Sequence, residues 1–248
     1  MMGMVKALNL GGWDALAMNF RCCSGEPNKT IRMYHSGDTE DIHEVVSFVA
    51  ASGKYKTICL VGFSLGGNVV LKYLGEKGSD LNPAVKAAVA ISVPCDLKGC
   101  AVRLEEPSNR IYARRFLRLL FDKIAAKARQ FPDRVTVKDY ESIKTLKEFD
   151  DRYTAPLHEF VDAEDYYRRS SSKPFLSSIS VPTLLINAAD DPFLSDSCYP
   201  EREAVASAFL LLEIPSHGGH CGFMSFGKRG LYWSEQRTVS FLNNAVPT

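Results

Sequence analysis

The chain has 248 residues, of which 46% are hydrophobic and 24% charged, with a formal net charge of +1. Those values are ordinary for a globular protein and fit one α/β domain with room for an inserted cap. They lend no support to a nucleic-acid partner. No apolar stretch approaches the ~18 residues of a membrane-spanning helix. The N-terminus lacks a charged segment followed by an apolar core, so no signal peptide is expected. Seven cysteines, without a C-x-x-C pair or a Cys/His zinc spacing, read as reduced thiols of a cytoplasmic protein.

Along the chain, Met2–Leu10 predicts a short helix stopped by Gly11 and Gly12. Residues 14–19 suit a short, mostly buried strand, and 20–32 a loop rich in Gly, Pro, Asn and Ser. The next helix covers about 39–51, with acids in its first turn, where the helix dipole favours them. Then come a strand at 57–61, a helix at 66–76 and an apolar strand at 85–93 halted by Pro94. Strands at 181–187 and 208–214 and a closing helix at about 234–243 complete the pattern. Near-continuous apolar strands alternating with helices indicate a parallel sheet covered on both faces. The charged, helix-patterned stretch 96–173 interrupts that rhythm. It is expected to fold as a helical cap over the strand ends, inserted between core segments 1–95 and 174–248.

The most telling segment is Gly62-Phe63-Ser64-Leu65-Gly66, set between an apolar run and a helix-patterned stretch. This is the G-x-S-x-G nucleophile elbow in its required setting of strand, sharp turn and helix. Ser64 must occupy a strained backbone position to project its hydroxyl, and only glycine tolerates the crowding at Gly62 and Gly66. The helix starting near Leu65 aims its first amides at the space above Ser64, where negative charge would develop.

A serine hydroxyl needs a base, and the base needs an orienting acid. Strand carboxyl ends supply both candidates. Asp190 and Asp191 follow the strand ending at Asn187, and His217 and His220 follow the strand ending at Ile214. Asp191 is favoured because it directly precedes Pro192, which starts the turn; Asp190 would then cap or solvate the loop. His220 is favoured because nearby glycines let its loop approach the serine, with His217 as runner-up. His35, His43 and His158 read as surface or capping groups. The resulting order, Ser64, Asp191, His220, is that of α/β-hydrolases. Histidines and acids lack metal-ligand spacing, so neither metal nor cofactor is expected.

With these residues in hand, the chain resembles the YheT-like α/β-hydrolases, a group of bacterial esterase candidates and eukaryotic lipid esterases. The blocks carrying the likeness are MNFRCCSGEPN at 18–28, YHSGDTED at 34–41, GFSLGGN at 62–68, NAADDPF at 187–193 and HGGHCGF at 217–223. The resemblance implies a Ser64–Asp191–His220 triad, an oxyanion donor from the Leu65 N–H, and hydrolysis of carboxylic esters through an acyl-enzyme. The 34–41 block is expected to cap a helix and fix a loop beside the elbow, and Arg21, Cys22 and Cys23 to contact substrate or pack. Relatives usually carry glycine where this chain has Cys22, a departure that removes no catalytic group.

Relatives also have further N-terminal strands and a His-Gly-type loop supplying a second oxyanion donor. This chain begins at the helix after them, which reads as either a piece of a longer product or a shortened member. The expected partner is a small acyl ester, plausibly lipid-like. The cap segment 111–121, apolar with interspersed arginines, suits peripheral membrane contact; its plainer reading is a solvated helix with one face on the core. An acyltransferase using the same intermediate, or a non-catalytic binding protein, are the competing functions. Oligomeric state is not indicated.

Overall fold

The computed structural model describes residues 2–225 and 230–246. In chain order its elements are α1 (Met2–Leu10), α2 (Glu40–Ala51), β1 (Ile58–Phe63), α3 (Leu65–Lys77), β2 (Val85–Ile91), α4 (Leu97–Glu105) and α5 (Arg110–Gln130). There follow α6 (Leu146–Phe149), α7 (Ala155–Leu157), α8 (Ala163–Ser170), β3 (Thr183–Ile186), α9 (Glu201–Ala206), β4 (Leu210–Glu213) and α10 (Trp233–Ala245). They fall into two compact units: 2–17, 36–96 and 171–246 form the first, Met18–His35 and Leu97–Ser170 the second.

The first unit is built on a four-stranded parallel sheet in the order β1-β2-β3-β4. Odd and even positions of a strand face opposite sides, and both sides are covered here. Ala87, Val89 and Ile91 of β2, with Leu184 and Ile186 of β3, pack in one cluster with Met4 of α1 and Leu242 of α10. On the other side Gly67 of α3 faces β2: a β-carbon there would stand at ordinary contact distance, 3.6 Å, from that of Ala90 but only 2.5 Å from Val93 Cγ2, a crowding that favours a residue without a side chain. The register is flush at the carboxyl ends: Phe63 pairs with Ile91, Ile91 with Ile186, and Ile186 with Glu213. The loops after all four strands therefore leave the sheet along one line.

One predicted strand is absent. Residues 14–19 join no ladder and none is buried; Leu16 is 65% exposed. A strand needs a neighbour for its backbone groups, and the described sheet ends at β1. The 85–93 strand also stops earlier than Pro94 suggests. Ser92, buried at φ +55°, turns the chain out of the sheet two residues before it.

The second unit is helical. Leu117 and Ile124 of α5 pack with Met33, Phe149, Tyr140 and Tyr153, while Leu97 and Ala101 of α4 pack with Ala163, Tyr166 and Tyr167 around α8. Lys127, 1% exposed, ties in the Met18–His35 segment by donating from Nζ to the carbonyls of Asn28 (3.1 Å) and Thr30 (2.6 Å). Between α6 and α7 the helix widens into a π turn, Asp150–Thr154. There the half-buried Asp150 accepts from Tyr167 Oη (2.8 Å) and Thr154 Oγ1 (2.5 Å). Burial pushes its carboxyl up to about 6. The sequence expectation that His35 and His158 are surface or capping groups is corrected: His35 is buried and His158 half-buried. Their rings meet at 4.6 Å beside Phe160 and Tyr166, and burial pushes His158 down to about 4, with Arg32 and Arg21 contributing. Among the described residues no helix is long and apolar enough to cross a membrane.

Candidate active site

The elbow is built from backbone constraints. Ser64 has φ +48° and ψ −122°, a region that costs about 1–3 kcal/mol and persists only where neighbours over-determine it. Two bonds do so here: its N–H donates to Ile91 O (2.8 Å), and its carbonyl accepts from the Asn68 N–H (3.1 Å). The turn is so tight that a β-carbon on Gly62 would lie 2.4 Å from Gly66 O. Leu65 is the first residue of α3, so its N–H has no acceptor within the helix. Asn68, fully buried, donates from Nδ2 to Ser36 O (2.7 Å) and accepts the Ser172 N–H at Oδ1 (2.9 Å). This is how the 34–41 block meets the elbow: through the Ser36 carbonyl. Thr39 precedes α2 without capping it and donates instead to Glu76 Oε2 (2.6 Å).

The acid and the base arrive from the loops after β3 and β4. Asp191 Oδ2 stands 2.9 Å and Oδ1 3.2 Å from His220 Nδ1, and His220 Nε2 stands 2.9 Å from Ser64 Oγ. The carboxylate next to Nδ1 implies the tautomer with its proton on Nδ1, leaving Nε2 to accept from the serine hydroxyl. The Asp191 side chain is fully buried and that of His220 is 19% exposed. Oδ1 of Asp191 also accepts the Phe193 N–H (3.0 Å), and the Phe193 ring lies 4.5 Å from the imidazole. The acid is thus held by its own turn.

The two alternatives take other places. Asp190 Oδ1 accepts the N–H groups of Gly218 (2.8 Å) and Gly219 (2.7 Å). Those bonds, with Gly219 foremost, hold its carboxyl below the usual range. His217 is 89% exposed at its side chain and faces Asp190 at 3.5 Å. Neither reaches Ser64 by any hydrogen bond in the described residues.

Three positioning residues carried no role in the sequence reading. Asn187, fully buried, accepts the Val93 N–H (2.7 Å) and donates to the carbonyls of Val93 (3.2 Å) and Cys198 (2.7 Å), locking the ends of β2 and β3 together. Ser92 Oγ accepts the Cys221 N–H (2.9 Å), fixing the residue after His220. Tyr199 Oη donates to Ala188 O (2.6 Å). Asn187 lies within a family-like block, which was its available signal; Ser92 and Tyr199 had none. Among the described residues no cluster of three His, Cys, Asp or Glu side chains could hold a metal.

A serine at a strand–helix elbow, hydrogen-bonded to a histidine that is itself bonded to an aspartate, both on later loops of the same sheet edge, is the arrangement of one class of fold. The family profile described as alpha/beta hydrolase fold matches residues 2–226, and the chain belongs to that family. Within it, the chain is 38% identical over 224 residues to the Escherichia coli (strain K12) protein named "Putative esterase YheT", covering 90% of this chain and 65% of that one. It is 30% identical over 214 residues to the human protein named phospholipase ABHD3, covering 86% and 52%. The chain thus spans about half to two-thirds of the length of these curated relatives. Among solved structures, the Pyrococcus furiosus esterase Pf2001 superposes with a TM-score of 0.60 at 19% identity, over 98% of this chain and 76% of that one; this likeness shows the fold.

Proposed function

We propose that this chain is a serine hydrolase of carboxylic esters, with Ser64, His220 and Asp191 as its triad. The observation that carries the reading is the hydrogen-bonded series Ser64–His220–Asp191 at a strained elbow. In the first half-reaction Ser64 Oγ attacks the ester carbonyl while its proton passes to His220 Nε2. The tetrahedral oxyanion develops near the Leu65 N–H, a donor type worth about 10²–10³ in rate. The carbon–oxygen bond to the alcohol then breaks, and the leaving alcohol takes the proton from Nε2. In the second half, water gives a proton to the same nitrogen and attacks the acyl-serine, releasing the acid and restoring Ser64. Asp191 stays ionised throughout and stabilises the imidazolium. No step calls for a cofactor.

The names of the relatives, an esterase and a phospholipase, support an acyl ester of lipid-like character as substrate. The same proposal reads 96–173 as a helical insertion between the two parts of one hydrolase core, 1–95 and 174–248. The clustering of Leu97–Ser170 apart from the sheet segments supports the insertion, whereas Met18–His35, which clusters with it, falls inside the stated core boundary. The test is hydrolysis of p-nitrophenyl esters from acetate to decanoate by the wild type and Ser64→Ala. Turnover abolished by the substitution is expected; no turnover on any ester contradicts the proposal. Product analysis with added ethanol separates hydrolysis, which yields only the acid, from transfer, which yields the ethyl ester.

A further inference from the structure

Helix α5 presents to solvent a face that its own packing does not use. At about 100° per residue, Ala113, Leu117, Ile124 and Lys127 share one side and are buried. Ile111, Arg114, Arg115, Arg118 and Leu119 lie around the rest of the helix and are exposed, as is Arg110 at its first turn. Ile111 is 78% exposed and Leu119 49%. The side chains of the four arginines make no hydrogen bond or ion pair with another described residue. Elsewhere in the same unit, exposed cations do find acids, as in Lys98–Glu164, Arg103–Glu106 and Lys147–Asp151.

The charge is also uneven along the chain. Helix α5 holds seven basic residues and one acid, Asp122, while the chain as a whole sums to +1. Arg110, Arg114 and Arg118 follow one another at four-residue spacing, where like charges repel and weaken a helix. Large apolar side chains between them gain nothing from water. Both costs vanish against one kind of surface, in which phosphates lie above hydrocarbon. A polynucleotide would satisfy the arginines but leave Ile111 and Leu119 unused.

We propose that this face of α5 docks on an anionic lipid bilayer, its arginines on headgroup phosphates and Ile111 and Leu119 among the upper acyl chains. The inference stands on α5 alone and does not depend on ester hydrolysis, so it is tested on the Ser64→Ala protein as well as the wild type.

The experiment is cosedimentation of the 248-residue chain with vesicles of phosphatidylcholine, or of phosphatidylcholine containing one-third phosphatidylglycerol. Both proteins are expected to pellet with the anionic vesicles, not the neutral ones, and to be released by high salt. The Arg114→Gln/Arg115→Gln/Arg118→Gln variant is expected to lose about tenfold or more in partitioning. Ile111→Asp, which keeps every arginine, is expected to weaken binding several-fold even at low salt. Thermal unfolding of each variant confirms its fold. The proposal is overturned if the wild type ignores anionic vesicles, if the folded arginine variant binds them equally well, or if only an oligonucleotide is bound.

Discussion

Asp190 and Asp191 are consecutive acids that hold one histidine loop at two different points. Asp191 grips the imidazole of His220 at 2.9 Å, while Asp190 accepts the N–H groups of Gly218 and Gly219, just upstream. The same charge therefore meets the imidazole ring at one position and the backbone of its loop at the next.

That division predicts opposite phenotypes. Asp191→Asn keeps the shape but removes the charge that selects the tautomer, so kcat should fall by about 10⁴ with the fold intact. Asp190→Ala leaves two backbone donors to water; it should cost about 1 kcal/mol in stability and less than about tenfold in kcat. Ester kinetics and urea unfolding on both variants check the pair.

The elbow gives a second prediction. A methyl group on Gly62 would meet the Gly66 carbonyl at 2.4 Å and Gly67 Cα at 2.7 Å, all backbone with no flexible side chain to yield. Gly62→Ala should lose at least about 1–3 kcal/mol of stability. It should also lose esterase activity through displacement of Ser64. Normal activity at wild-type stability would show that the turn relaxes more easily than its geometry implies.

Two half-buried groups of the helical unit predict opposing pH dependence. Asp150 is pushed up to about 6 in the folded chain, so folding favours its neutral form. Its contribution falls as pH rises from about 4 to about 6. His158 is pushed down to about 4, so folding favours its neutral form as well, and its contribution falls as pH drops from about 6.5 to about 4. Asp150→Asn should remove the first slope and leave stability rising with pH. His158→Gln should remove the second and leave it falling. Unfolding midpoints between pH 4 and 7 for both variants read the slopes directly, each worth up to about 3 kcal/mol across the window.

Cys22 provides a fourth. It sits at φ +62°, in the left-handed region that glycine enters freely, and its Sγ donates to Asn28 Oδ1 at 2.8 Å. Cys22→Gly should relieve the backbone strain, and loss of the weak thiol bond should offset part of that gain. The net change expected in thermal unfolding is within about 1 kcal/mol of zero. A loss of several kcal/mol would mean that the thiol holds the loop.

Much of this was legible in the sequence because it is local. The elbow needs glycines at fixed offsets, and Ser64, Asp191 and His220 each sit beside a strand end that apolar runs reveal. Helix α1 and the starts of α2 and β2 follow from periodicity and stop signals. What escaped depends on partners distant in sequence. Residues 14–19 carry a strand-like composition, yet a strand is made by its neighbour, and no neighbour pairs there. Met18–His35 is tied to Leu97–Ser170 by Met33 packing on Leu117 and Ile124 and by Lys127 reaching the carbonyls of Asn28 and Thr30, which no spacing announces. His35 and His158 look like surface residues until the fold brings their rings together at 4.6 Å. Asn187 and Ser92 act through backbone groups of loops distant in sequence, so their contacts appear only in three dimensions.

The most direct measurement is the reaction of the folded chain with a fluorophosphonate, read by peptide mass spectrometry. The account predicts one adduct per chain, located on Ser64, absent in Ser64→Ala and formed far more slowly in His220→Ala. A folded wild-type chain that stays unlabelled, or carries the adduct on another serine, would contradict it.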